Sequence, residues 1–241
     1  MPTWAEAHAN LALAYQAKNQ SEQAIGHFRE AIKLNPDLTG ARENLGAALL
    51  GQRKLEEAAA ECEECVRRVP KSSESRRKLA DALRREGKEK EALAQLAEAI
   101  QITPDDAAAH FLMGMIQAEA GDLGNAIPHY REALKQRPDY AEALNNLAWI
   151  LATSAQPQFH DGSQAIKLAM RACERLAYKD PEALDTLAAA YAAASRFQEA
   201  CVTARKAIDA AEKSGLATDA KILKGHLDLF DSGRPYIQTA K

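Results

Sequence analysis

"PTWAEAHANLALAY" (residues 2–15) and "PDYAEALNNLAWIL" (residues 138–151) are one phrase written twice. Proline, an aromatic, Ala-Glu-Ala and Asn-Leu-Ala fall at equivalent places in both. Three further copies lie between them. Prolines stand at Pro2, Pro36, Pro70, Pro104 and Pro138, each 34 residues after the last. Alanines keep the same spacing at Ala24, Ala58, Ala92 and Ala126, and small residues at Ala12, Gly46, Ala80, Gly114 and Ala148. A fixed period of this length marks a repeat architecture, in which each unit buries its apolar face only by stacking on a neighbour.

Within a unit the apolar residues recur at helical spacing: Leu11, Ala12 and Tyr15, then Ala24, Ile25, Phe28, Ala31 and Ile32. The short polar "KNQS" between them, replaced later by "REGK" and "EAGD", predicts a tight turn joining two antiparallel helices. A proline after the second helix resists its continuation. Small residues at one recurring position let the paired helices approach closely.

These positions resemble the tetratricopeptide repeat, whose 34-residue signature runs Leu-Gly, Tyr, Gly, Ala, Phe, Ala, Pro. The resemblance implies an all-α right-handed superhelical solenoid, one domain over 1–241. Its six helix pairs span 5–38, 39–72, 73–106, 107–140, 141–180 and 181–214, and a capping helix and tail fill 215–241. The chain departs from the signature where its early Trp is replaced by His8, Arg42, Arg76 and His110, and its Tyr by Gln117. In the fifth unit "TSAQPQFHDGSQ" makes a turn five residues longer than its siblings, and the second helix reads as about a turn longer. Asp180 and Pro181 read as N-cap and first helical residue of the sixth. Leu216, Ile222, Leu223, Leu227 and Phe230 are expected to cover the last repeat, with Gly233 and Pro235 ending the closing helix.

The opening phrase has no evident cap before its helix, and Pro2-Thr3-Trp4 matches Pro138-Asp139-Tyr140 at a repeat junction. The expectation is a fragment of a longer protein that begins at the end of a preceding repeat. "NNLAWILATS", "DPEALDTLAAAYA" and "SGRPY" resemble the ends of bacterial tetratricopeptide arrays attached to larger membrane or glycosyltransferase proteins.

Composition bounds the function. A net charge of −3, with 27% charged residues, gives no general attraction to nucleic acid or anionic lipid. No apolar run reaches the roughly 20 residues that cross a bilayer. The chain reads as soluble, cytoplasmic by default, or as an extracytoplasmic domain of a membrane-anchored parent. Cys62-Glu-Glu-Cys65 invites a redox or zinc reading, but both positions fall on the helix seam held by Phe28 and Ala31 in the first unit. His160-Asp161-Gly162 reads as a turn with no nucleophile beside it. No catalytic residue, cofactor or metal is assigned.

What remains is recognition. Positions 2, 5, 6, 9, 12 and 13 of each first helix share a stripe separate from the packing stripe. Asn10, Asn44 and Asn146, with Asn145 beside it, resemble the asparagine ladder of O-GlcNAc transferase, whose amides pair with a peptide backbone. Glu74, Arg77, Lys78, Asp81, Arg84 and Arg85 form a cationic zone suited to acidic groups. Asn44 and Lys78 match two of the five groups of the chaperone-binding carboxylate clamp. Ala9, Leu13 and Glu74 replace the other three, so chaperone-tail binding is not implied. Phe111, Leu112, Met115 and Trp149 form an apolar zone. The expected partner is a protein or peptide, extended or helical, with acidic and apolar residues. Three apolar anchors at roughly 1.5–3 kcal/mol each imply micromolar affinity once ordering is subtracted. The alternative is a spacer or self-association arm, stacking through Trp4, Leu11 and Tyr15 at the uncapped first repeat.

Overall fold

The computed structural model describes residues 3–238, so Pro2 lies outside it. Among these residues the chain forms thirteen α-helices. They are α1 (Trp4–Ala17), α2 (Ser21–Leu34), α3 (Thr39–Gly51), α4 (Leu55–Arg68), α5 (Ser73–Arg85), α6 (Glu89–Ile102), α7 (Ala107–Glu119), α8 (Leu123–Gln136), α9 (Ala141–Thr153), α10 (Gly162–Arg175), α11 (Pro181–Ala193), α12 (Phe197–Lys213) and α13 (Ala217–Asp231). Six helix pairs and a closing helix follow the expected order. The helices form two compact units, Met1–Ile116 and Gln117–Lys241.

In the first unit, Ala12, Phe28, Leu45 and Leu49 are buried together, and Leu79, Leu83, Leu96 and Ile116 form a second cluster with Cys62. In the second, Leu144, Leu147, Leu184, Leu187 and Phe230 are fully or nearly fully buried. The small residue of the helix-pair crossing does what its position predicts. Ala12, Ala80 and Ala148 have no exposure, and a Cβ on Gly46 would lie 3.0 Å from Cys62 Sγ.

The tight turns inside the pairs, other than the long turn of the fifth, use left-handed backbone at the same register. Asn19 (φ 57°), Arg53 (φ 58°), Gly87 (φ 81°) and Gly121 (φ 80°) are 34 residues apart. Ser195 (φ 61°) holds the same place in the sixth unit, so two units place glycine there, which adopts this conformation without steric cost, and three do not.

The departures from the signature Trp also have a common explanation. Arg42 Nε donates to Pro36 O at 3.4 Å, Arg76 Nε to Pro70 O at 3.1 Å, and His110 Nε2 to Pro104 O at 3.1 Å. A long or ring donor at this position satisfies the carbonyl of the junction proline. The same position reaches across the pair to a residue 19 further on: His8 to His27 at 2.9 Å, Arg42 to Glu61 at 2.7 Å, Arg76 to Gln95 at 2.9 Å.

Four details differ from expectation. Thr3 caps α1: Glu6 N donates to Thr3 Oγ1 at 3.3 Å and Thr3 N to Glu6 Oε2 at 2.8 Å, a capping box. The fifth pair's second helix is not lengthened. α10 has 14 residues like its siblings, and the extra residue sits in the following loop, where Ala177 and Tyr178 take positive φ. The lengthened second helix is α12, with 17 residues. Leu223 and Phe230 are buried as expected, but Leu216 and Ile222 are 42% and 55% exposed, and Ala220 and His226 take their place in the covering face of the closing helix. Its face is rotated toward His226, a polar residue that a count of apolar side chains passes over.

Candidate functional site

In the first unit the cationic stripe of α5 is built as a set of ion pairs. Lys78 Nζ lies 2.8 Å from both Glu43 and Glu74 carboxylates, Arg77 Nε lies 3.6 Å from Asp106, and Asp81 receives Arg84 at 3.4 Å and Arg85 at 3.1 Å. Burial alone would lower the Lys78 pKa, but its bonds to Glu43 and Glu74 outweigh this and raise it; the same contact holds Glu74 low. Each of the four cations thus meets a carboxylate of its own chain, and an acidic partner would have to compete with it.

Asn10 is exposed and Asn44 half-buried on the predicted stripe. Phe111 and Met115 are half-buried on α7; Leu112 packs against the cluster of Leu79, Leu96 and Ile116. These residues belong to the first unit, and Asn145, Asn146 and Trp149 to the second.

The second unit gathers more than the sequence indicated. Asn145 and Trp149 lie one turn apart on α9, hence on one face. Asn146 instead donates to Tyr130 Oη at 3.4 Å, and burial pushes the Tyr130 phenol up to about 12. Asn145 is buried. Its Nδ2 donates to Glu182 Oε1 of α11 at 3.3 Å, while its Oδ1 is buried without a donor. Across from it, His226 Nδ1 of α13 lies 3.0 and 2.9 Å from the two oxygens of Asp185 on α11, and both residues are buried. The His226 ring faces Trp149, with centroids 6.1 Å apart.

Against these helices runs the chain's own tail. The Tyr236 ring lies 4.3 Å from His226 and 5.6 Å from Trp149, centroid to centroid. Trp149 Nε1 donates to Gln238 Oε1 at 3.2 Å, and Gln238 N donates to Thr153 O at 2.8 Å, giving a single parallel bridge between Ser154 and Gln238. An extended segment therefore crosses the α9 face and reads it with one ring, one side-chain amide and one backbone N–H.

The surroundings are acidic. The Glu182 carboxyl is held above its ordinary value, by burial first and then by the charges of Asp180, Asp185 and Asp219. A cation is the complement this corner lacks.

The remaining chemistry is structural. The four cysteines are free and buried, and burial raises Cys62 to about 12, Cys65 to about 11 and Cys173 to about 12. Buried thiols held this high carry little thiolate near neutrality, so they are poor nucleophiles. Asp161 caps α10, accepting from Gln164 N at 2.9 Å. Among the described residues no cluster of three or more metal-ligating side chains occurs, and no helix is long and apolar enough to cross a membrane.

Family models described as tetratricopeptide repeat match residues 5–38 and, in overlapping copies, 63–107, 77–141 and 111–156, together just over half the chain. The chain belongs to the tetratricopeptide repeat family. No curated protein sequence matches it. Among solved structures it is similar to PilW, a widely conserved type IV pilus biogenesis factor, at 17% identity and a TM-score of 0.73, covering 86% of this chain and 93% of that one. It is similar to a MamA double mutant at 17% identity and a TM-score of 0.60, covering 75% and 98%. It is also similar to the APC/C hetero-tetramer Cut9–Hcn1 at 15% identity and a TM-score of 0.76, covering 91% of this chain and 42% of that one. At these identities the likeness is one of fold, the all-α class of helical tetratricopeptide solenoids.

Tetratricopeptide repeats commonly serve as protein-interaction modules and are in general without catalysis. Against that background the tail, Asp185 and His226 are the parts of the site that the repeat signature did not reveal. None of them sits at a signature position. Only the aromatic within "SGRPY" and the histidine inside an apolar helix face hinted at them.

Proposed function

We propose that this chain is a non-catalytic scaffold that binds an extended or helical peptide along the first helices of its repeats. Asn10, Asn44, Arg77, Lys78, Asp81, Arg84, Arg85, Phe111, Leu112 and Met115 would contribute in the first unit, and Asn145, Asn146 and Trp149 in the second. One observation carries the reading: the α9 face already holds an extended segment, through backbone and side-chain contacts together. At Arg77 and Lys78 a ligand would compete with Asp106 and Glu43, which already match their charges.

The test is fluorescence-polarisation titration of a panel of ten-residue peptides differing in charge and aromatic content, against the wild-type chain, Trp149→Ala and Arg77→Ala/Lys78→Ala. A drop of at least tenfold in affinity in one variant supports the reading and locates the site. Equal affinity in all three chains discards it.

A second reading, self-association, has one observation in its favour. Trp4 is 80% exposed, and Leu11 and Leu13 are 42% and 44% exposed on the same helix. Tyr15, by contrast, is stacked on His27. Light scattering that gives a monomer mass at every concentration removes this alternative.

A further inference from the structure

The closing tail is bound at the end of α9. In the other repeats a tight turn folds back over the end of the first helix and fills its carbonyls: Gln20 N donates to Tyr15 O, Lys54 N to Leu49 O, Lys88 N to Leu83 O and Arg196 N to Tyr191 O. The last carbonyls of any helix lack intrahelical donors and must find others. The longer turn after α9 keeps this bond, since Asp161 N donates to the equivalent Leu151 O at 2.9 Å. What sets α9 apart is Thr153 O, two residues beyond, which accepts from Gln238 N of the tail at 2.8 Å.

Resting on the peptide-binding reading above, we propose that residues 234–238 are a displaceable built-in ligand of the α9–α11–α13 face. The external partner is then an extended peptide with the same chemistry: a basic residue, an aromatic ring, and a Gln or Asn two residues beyond the ring. The slot belongs to the helices rather than to the tail, since Asp185 fixes His226 and Thr153 Oγ1 is tied to Trp149 O at 2.8 Å. The tail is held lightly. Arg234, Pro235 and Gln238 are exposed, Ile237 is 40% exposed, and Tyr236 alone is half-buried. The face also keeps capacity that the tail leaves unused: the buried Oδ1 of Asn145 has no donor. Glu182 Oε1 accepts only an amide, Asn145 Nδ2 at 3.3 Å, while Asp180 and Asp185 are taken by Ala183 N and His226 and Arg234 spends its Nε on Ser232 Oγ at 2.9 Å. A peptide that placed its basic residue toward Glu182 would outbid the tail there.

The experiment uses the full chain carrying Trp4→Phe, which leaves Trp149 as its single tryptophan. In a second chain, Tyr236→Ala/Gln238→Pro removes the ring and the donating N–H from the exposed tail; Gln238→Ala serves as a milder version. The probe is a synthetic peptide of residues 232–241, followed by Trp149 emission and calorimetry, with circular dichroism confirming that the helices persist. The expected results are red-shifted emission in the opened chain, one-to-one peptide binding with the blue shift restored, and binding to the unopened chain about tenfold weaker. That factor follows from a tethered tail at an effective concentration on the order of 1 mM competing for a site of roughly 100 μM affinity. A peptide with Tyr236→Ala should not bind. Absence of binding to the opened chains, or equal affinity for opened and unopened ones, overturns the proposal. If other peptides of the panel bind while this one does not, the tail assignment alone falls; if none binds, the broader reading falls with it.

Discussion

Gly162, the first residue of α10, is the most constrained glycine of the second unit. A Cβ there would lie 2.9 Å from the Ala193 carbonyl carbon and the Ala194 nitrogen, and 3.1 Å from Ala193 O. Those atoms are backbone at the end of α11 and cannot rotate aside, so Gly162→Ala must push α10 off α11. Overpacking of this kind costs about 1–3 kcal/mol, offset in part by the 0.5–1 kcal/mol or less that alanine adds to a helix. Gly225, inside α13 of the same unit, has nothing within 4 Å of its Cβ position, so Gly225→Ala keeps only the favourable part. The expected net change is a loss of about 1–2 kcal/mol for Gly162→Ala and a gain of about 0.5–1 kcal/mol for Gly225→Ala. At roughly 2–4 °C per kcal/mol for a chain of this size, thermal melts should separate the two variants by about 3–12 °C. If Gly162→Ala melts at or above the wild-type temperature, the close approach of α10 and α11 is wrong.

Three other outcomes are expected. Arg53→Gly should stabilise the first unit by about 1 kcal/mol by relieving left-handed backbone, and Gly87→Ala should destabilise it by a similar amount, both read by urea titration. Glu182→Gln should raise the melting temperature at pH 7 by the equivalent of no more than about 1 kcal/mol, because the site is partly exposed. The sign follows from the raised carboxyl. The folded state binds this proton more tightly than the unfolded state, so the native glutamate is neutral in effect at low pH and destabilising once pH passes its ordinary value. The advantage of Gln should therefore shrink toward zero below about pH 4, and a constant advantage would contradict the electrostatic cause. Cys62, Cys65 and Cys173 should resist a thiol reagent at pH 8 in the native protein and react only on unfolding, so rapid native labelling at Cys62 or Cys65 would revive the redox reading.

The repeat period made the helix pairs legible because packing between neighbours demands small and apolar residues at fixed places. It also located the five-residue swelling after α9. It did not reveal the partner of Thr153 O, which lies 85 residues further along and carries no periodic signal. His226 escaped for a related reason: its burial depends on Asp185, another residue that hydrophobic patterning reads as surface. The charges of α5 were legible as a stripe, but two of their partners were not, because Glu43 comes from the preceding repeat and Asp106 from the junction at the far end of the same one. Thr3 was masked by the match to Pro138-Asp139-Tyr140, where the aligned residue, Asp139, does not cap; the T-x-x-E box with Glu6 was readable in its own right.

Amide hydrogen exchange at Gln238, followed by NMR, tests the central claim that the α9 face holds an extended strand. The wild-type chain should show a protected Gln238 amide, and Tyr236→Ala should remove that protection while amides inside α9 and α11 keep theirs. A Gln238 amide exchanging at the free-chain rate in the wild type would mean that this face carries no bound segment.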